Sequence, residues 1–366
     1  MNILLCGSCL PPQYEGKVKF LSPAGNQYQN NLIQALKAHN DVKILSYINV
    51  GLDDVSLDEL SNECKKLNIQ PVFTQNGTLG AFLDYRKLLK QEIKWADIII
   101  VYNVMYPWFG LWKMATKYHK KAVAVIADFT PVAEQGSLLR KFYAQLMQRE
   151  FPKYQKIVML SNGVEAYLKS NQEKIVVNGC LDLSKFEYIT PPTLKNTINI
   201  VYTGLLSKVT GVDLLVESFM KVKNPKLRLI ISGQGSDLSP YLTESTKKDN
   251  RIIFKGFVSR EEYYEILQSA DILVNPRNMN YLQNKNNFPS KVLEYIATGR
   301  VIISTMFNGY EEYKENIMFV DSSVSELMEG ILKAVEIIGV DAATVFEKNR
   351  KYAQKFAWEE QIKMFM

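Results

Sequence analysis

The chain has 366 residues, 47% of them hydrophobic and 22% charged. That excludes disordered, collagenous and coiled-coil proteins and suits about two domains of ~150 residues. Forty-four Lys and Arg against 38 Asp and Glu leave +6, mild for a nucleic-acid binder but compatible with anionic phosphates or an anionic membrane surface.

The chain opens MNILLCGSCLPP, without a positively charged leader. No later stretch approaches the ~20 apolar residues of a spanning helix. A cytoplasmic protein is expected, with any membrane contact peripheral and at the inner face. Cys6 and Cys9 form a CxxC, but Cys6 ends the apolar run Ile3, Leu4, Leu5 and no second CxxC follows. Buried structural thiols in a reducing compartment are expected. His39 and His119 are the only histidines. A His-rich metal site is excluded, a Ser-His-Asp triad is disfavoured, and no metal is expected.

Short apolar runs alternate with helix-period segments. The predicted strands are Asn2–Cys6, Val42–Ile48, Asp97–Tyr102, Ala122–Ala127, Lys156–Leu160 and Lys174–Asn178. A second series follows: Ile198–Thr203, Leu227–Ser232, Arg251–Lys255, Asp271–Asn275 and Val301–Ser304. Most lack polar alternation, the pattern of parallel strands covered on both faces by helices. The fold class is α/β, with two Rossmann-like domains. Tyr188–Thr197 separates the series, and Pro191-Pro192 continues neither helix nor central strand. The expected domains are 1–188, completed by a C-terminal helix 346–366, and 189–345. In such pairs ligands bind in the cleft, at the carboxyl ends of the strands.

Three features of the first half have two readings each. Tyr102, Tyr106, Trp108, Phe109 and Trp112 fit core packing, and equally a sugar-stacking or membrane-interface role. Ser137–Lys156 carries five cations against Glu150, with Leu138, Leu139, Phe142, Leu146 and Met147 at helical spacing. It reads as a surface helix with its apolar stripe in the core, or as a basic amphipathic face on an anionic bilayer. Asp128, after strand Ala122–Ala127, reads as a loop cap or as a contact to donor or acceptor.

In the second half, the loop Gly204–Gly211 follows a strand and opens a helix, an arrangement suited to anions. It is neither a P-loop nor GxGxxG, and a plain βα turn also fits. In NNFPSKVLEYIATG, Pro289 and Ser290 mark a helix start with free amides. Glu294 lies inside the apolar VLEYIA, where a carboxylate needs a partner such as the vicinal hydroxyls of a ribose.

The run FPSKVLEYIATGRVIIST resembles the nucleotide-sugar motif of family 4 retaining glycosyltransferases, which have the GT-B fold. VYTGLLSKVTGVDLL is similar to their donor-phosphate loop, and IIFKGFVSREEYYEILQSADILVNPR to their base-binding segment. KIVVNGCLDLSKF resembles the end of their first domain, and FAWEEQI their crossover helix. The likeness implies parallel sheets facing a central cleft. It places Glu294 on the donor ribose and brackets the base with Phe257 and Val258. Amides around Phe288, Pro289 and Ser290 would touch the diphosphate and sugar, with Gly204, Leu205 and Ser207 in the phosphate loop. The family pairs two glutamates across seven residues; here the first position is Asn286, which still hydrogen-bonds a sugar hydroxyl. The family's phosphate-loop Arg and Lys are replaced by Leu205 and Thr210. Lys208 is the expected substitute cation, with Arg277 and Lys291 as further candidates. Gly25, beside Asn26, matches the glycines that the family places after the first strand; Gly16 lies in the same loop.

The resemblance implies a retaining, metal-independent hexosyltransferase. It would move a sugar from a nucleotide-diphosphate sugar, a UDP-sugar by family frequency, to a glycan or lipid-linked glycan acceptor. Surface polysaccharide or glycolipid biosynthesis is the implied setting. The leaving diphosphate would accept the acceptor's proton, so no protein base is required. A GT-B accessory subunit with little activity is the alternative, favoured by Leu205, Thr210 and Asn286. An epimerase leaves the match around Glu294 unexplained, and a phosphorylase lacks a cofactor-lysine motif. Only the mild charge favours a nucleic-acid role, and no nucleic-acid partner is expected.

Overall fold

The computed structural model describes every residue except 15, 16, 19–21, 51–54, 75–77, 128, 130, 133, 134, 169–171, 194, 195 and 236, and the side chains of 23 and 286. It divides into two units, residues 1–180 with 358–366, and residues 181–357.

The first unit alternates strand and helix. Its elements are β1 (Asn2–Gly7), α1 (Pro23–Lys37), β2 (Asp41–Ile48), α2 (Leu57–Lys66), β3 (Ile69–Phe73) and α3 (Thr78–Trp95). They continue with β4 (Ile98–Tyr102), α4 (Leu111–Lys117), β5 (Lys121–Ile126), α5 (Leu138–Glu150), β6 (Lys156–Met159) and β7 (Glu173–Val176). The seven strands are parallel in the order β3-β2-β1-β4-β5-β6-β7. Successive residues of β1 feed opposite cores, as a strand covered on both faces requires. Ile3 and Leu5 meet α1, α2 and the C-terminal Trp358, Ile362 and Phe365. Leu4 and Cys6 meet α3 and α4.

The second unit holds β8 (Ile198–Thr203), α6 (Val212–Lys221), β9 (Leu227–Ser232), α7 (Ser239–Lys248), β10 (Ile252–Gly256), α8 (Arg260–Ser269) and β11 (Ile272–Asn275). Then come α9 (Leu282–Asn286), α10 (Lys291–Thr298), β12 (Val301–Thr305), β13 (Met318–Val320), α11 (Val324–Val340) and α12 (Ala342–Ala353). Six parallel strands run in the order β10-β9-β8-β11-β12-β13. α6 and α11 cover one face, and α8, α10 and α12 the other. The short helix α13 (Trp358–Gln361) returns the chain to the first unit.

Two edge strands escape the sequence reading. β3 carries Pro71, which an edge strand tolerates because one side of it has no partner. β13 has only three residues. The unit boundary also differs from the expected 188/189. Leu181, Phe186 and Ile189 are buried in the second unit's core, and Arg350 donates to the Phe186 carbonyl at 3.0 Å. At the C-terminus, no single helix spans 346–366. Phe346, Ala353 and Phe356 pack in the second unit, Ala357 is extended at φ −57° and ψ 142°, and only Trp358–Met366 joins the first. The break occurs where the chain exchanges one core for the other.

Candidate functional site

In the second sheet, β8 lies between β9 and β11, and the chain direction of the crossovers reverses there. Such a switch point parts the loops at the carboxyl ends of its two strands and leaves room for a ligand. Here the two loops are pinned together. Asn278 donates its amide to the Val209 carbonyl at 3.1 Å, and the Asn284 side chain donates to the same oxygen at 2.7 Å. Gly211 begins α6 at φ +71°, and a Cβ there would lie 1.9 Å from the Pro276 carbonyl oxygen. Only glycine permits that approach.

The loop closes on itself through Thr210. Ser207 donates its amide to Thr210 Oγ1 at 3.2 Å, and Thr210 donates its amide to Ser207 Oγ at 3.3 Å. Thr210 Oγ1 also donates to the Leu205 carbonyl at 2.7 Å. Leu205 and Lys208 are exposed on this loop.

The cation at the loop's root comes from α10. Lys291 Nζ donates to the Thr203 carbonyl at 2.8 Å and sits 4.2 Å from the centre of the Tyr202 ring. Gly204, at φ +133°, leaves it room, for a Cβ would stand 2.6 Å from Nζ. Burial first, and the neighbouring Arg277 second, pull the Lys291 ammonium down to about 7. Burial pulls Arg277 down to about 10, so it stays charged at neutral pH. Its Nη1 donates to the Asn287 carbonyl at 3.3 Å. Burial and Arg277 together hold the Lys291 ammonium down, Glu294 only partly offsets them, and among the described residues neither cation has an acid within ion-pair distance, so the place is suited to an anion.

Glu294 lies one turn along α10 from Lys291, so both project from the same face. Its Oε2 accepts from the Tyr263 hydroxyl of α8. Burial raises the Glu294 carboxyl, against the lowering effects of Tyr263, Lys185, Lys291 and Arg260. The sequence reading missed Tyr263. In REEYYEIL it is one of two tyrosines on an amphipathic helix, and nothing local marks which reaches a carboxylate.

The remaining candidates ring the same edge. Phe257 is 79% exposed after Gly256, while Val258 packs against the core. Phe288 is buried against Phe307 and Tyr313, with centroids 5.2 and 5.5 Å away. Pro289 has no N–H, and Ser290 donates its own amide to the Phe288 carbonyl at 3.1 Å. The polar groups of this turn facing an anion are therefore fewer than a free helix start supplies. Asn286 ends α9, and its side chain lies outside the described residues, as does Asp128 altogether.

In the first unit, Ser22 caps α1 by accepting from the Gly25 amide at 3.2 Å. A Cβ on Gly25 would stand 3.3 Å from the Tyr102 hydroxyl. Asn26 is buried and accepts from the Leu10 amide at 2.8 Å. Gly16 lies outside the described residues. Trp108 is wholly buried and donates Nε1 to the Asn103 carbonyl at 2.9 Å, so the centre of the aromatic cluster is core. Cys6 and Cys9 are buried free thiols, pushed up to about 12 by burial, as the pattern predicts. His39 and His119 are exposed beyond the C-terminal ends of α1 and α4, at the edge opposite the carboxyl ends of the strands. Among the described residues no three His, Cys, Asp or Glu gather as metal ligands, and no helix is long and apolar enough to cross a membrane.

Residues 197–336 match the family described as glycosyl transferases group 1. That segment contains the switch-point loops, Lys291 and Glu294. No curated protein matches the chain. Solved structures share its whole fold at low identity. HepE of Anabaena, in complex with UDP, has 15% identity and a TM-score of 0.71, covering 100% of this chain and 98% of that one. A glycosyltransferase of Rickettsia africae has 18% identity and a TM-score of 0.72, covering 99% and 96%. Sucrose-phosphate synthase of Thermosynechococcus elongatus has 15% identity and a TM-score of 0.71, covering 100% and 97%. The two parallel-sheet Rossmann-like units are those of the GT-B fold.

Proposed function

We propose that the protein is a retaining glycosyltransferase that takes its sugar from a nucleotide-diphosphate sugar, a UDP-sugar. The acceptor is a glycan or lipid-linked glycan of surface polysaccharide or glycolipid biosynthesis. The observation that carries this reading is the grouping of Lys291, Arg277 and Glu294 at the β8–β11 switch point. Lys291 and Arg277 take the diphosphate, in place of the Arg and Lys that Leu205 and Thr210 replace. Lys208, free and exposed on the same loop, closes over the outer phosphate. Glu294, steadied by Tyr263, accepts from the ribose hydroxyls. Phe257 and Val258 flank the base. Gly204, Leu205 and Ser207 border the phosphates, Phe288, Pro289 and Ser290 shape the wall beside them, and Asn286 contacts the sugar. Gly25 and Asp128 serve the donor or acceptor from the first unit.

Breaking the glycosidic bond leaves charge on the diphosphate. Fixed cations in a site shielded from water stabilise that charge more than they stabilise the bound donor, which lowers the barrier. The freed phosphate oxygen takes the acceptor's proton, so neither a histidine nor a metal ion is needed. HepE of Anabaena, whose structure contains UDP, supports uridine as the base.

One observation favours a second reading, a binding subunit without turnover. Thr210 makes the loop self-contained where the family places a cation. Incubation with labelled UDP-glucose, UDP-galactose and UDP-N-acetylglucosamine separates the two. Binding with release of UDP, slow alone and fast with a glycan or lipid extract, supports the enzyme. Binding without release supports the subunit, and absence of binding contradicts both.

A further inference from the structure

Helices α3, α4 and α5 cover one face of the first unit's sheet. Their inner residues are conventional core: Ala81, Tyr85, Leu89, Leu111 and Ala115 are buried. The outer face carries two independent anomalies.

Large apolar side chains point to solvent at the N-terminal ends of two of these helices. Leu79 and Leu83 on α3 are 73% and 59% exposed. Leu138, Leu139 and Phe142 on α5 are 85%, 78% and 59% exposed. At about 100° per residue the three α5 residues share one arc. On the opposite arc Arg140, Ala144 and Met147 line a recess with Phe129 and Phe151. The helix thus has an inward apolar side already, and its second stripe has no core to enter. The two exposed ends are joined. Phe82 stacks on Tyr106 at 6.0 Å, Tyr106 donates its amide to the Tyr143 hydroxyl at 3.2 Å, and Tyr143 stacks on Phe109 at 6.1 Å.

The second anomaly is charge. The three helices contain nine Lys and Arg against three Asp and Glu, a surplus of six that equals the net charge of the whole chain. Two of the three acids are engaged. Glu92 pairs with Lys43 at 2.7 Å. Glu150 pairs with Lys153 at 2.7 Å and accepts from the Gly110 amide and the Trp112 indole. Lys87, Lys90, Lys141 and Arg149 remain exposed on the same two helices as the leucines.

We infer that this face seats on an anionic lipid bilayer. Leu79, Leu83, Leu138, Leu139 and Phe142 enter the acyl boundary, and the surrounding cations meet lipid phosphates. The arrangement suits a bilayer because apolar and basic groups interleave on open helix surfaces. A wholly apolar protein partner leaves the cations unmatched, and a wholly acidic one leaves the leucines unmatched. The inference does not depend on the donor chemistry of the second unit.

Sedimentation of the full chain with vesicles tests it. One vesicle set is phosphatidylcholine alone, the other phosphatidylcholine with phosphatidylglycerol. We expect the protein to pellet with the anionic set only, and less so in high salt. A Leu138→Ser, Leu139→Ser, Phe142→Ser variant should lose binding by about tenfold or more. Lys87→Glu with Lys90→Glu should also weaken it, and serves if the triple variant melts early. Wild type left in the supernatant with both vesicle sets overturns the inference, as does a folded triple variant that pellets normally. So does self-association without lipid that the triple variant abolishes, for a second copy would then cover the face. UDP binding, followed separately, reports on the donor site: its loss leaves the membrane inference standing, and the converse holds.

Discussion

The ammonium of Lys291 lies 2.8 Å from the carbonyl oxygen of Thr203, at the carboxyl end of an inner strand of the second sheet. This places a cation at the root of the loop that joins β8 to α6. The cation comes from α10 rather than from the loop itself.

Donor affinity should depend on pH through Lys291. In the free protein its ammonium is held at about 7, beside Arg277, Glu294 and Tyr202. Below pH 7 it is charged and receives the diphosphate directly. Above pH 7 it must take up a proton first, so affinity falls by up to about tenfold per pH unit. A UDP-sugar is the right probe, because its diphosphate has no group titrating near 7. Lys291→Met should flatten the profile as well as lower it. A profile of the wild type that is flat from pH 6 to 9 contradicts this role.

Glu294→Ala should separate base-and-ribose binding from phosphate binding. We expect UDP to lose about 1–3 kcal/mol of binding and inorganic pyrophosphate to lose almost none. Calorimetry with both ligands checks it. Equal losses would place Glu294 on the phosphates instead.

Lys208→Ala should reduce turnover more than donor affinity. Its side chain is exposed in the free protein and is proposed to act when charge develops on the leaving group. Rates and KM measured side by side decide this, and unchanged turnover removes Lys208 from the mechanism.

Gly211→Ala should destabilise the second unit by about 2 kcal/mol or more, from a positive φ and a clash with backbone. The Cβ meets the Pro276 carbonyl oxygen, which belongs to the facing loop and has no flexible side chain to move. Urea unfolding measures the loss, and a variant as stable as wild type would show that the two loops are not pinned here.

Much of this is legible in the residues alone. Runs such as IIIVY and AVAVI are apolar throughout, and parallel strands covered on both faces need that. Glu294 stands out because VLEYIA has no other charge. Lys291 does not stand out as a root cation, because PSK reads as an ordinary helix start and its target carbonyl is 88 residues away. Tyr263 is hidden for the same reason, its partner lying 31 residues on. The split of the C-terminal segment at Ala357 is invisible in an amphipathic pattern that continues across it. The exposure of Leu138, Leu139 and Phe142 is likewise invisible, since spacing gives a stripe but not the side it faces.

One titration tests the donor site most directly: wild type and Lys291→Met by calorimetry against UDP, GDP and ADP, without added metal. We expect wild type to bind one nucleotide, UDP, and the variant to bind it about tenfold or more weakly, from a lost charge-assisted contact. No binding of any nucleoside diphosphate by folded wild type, or equal binding by the variant, would contradict a diphosphate site built on Lys291.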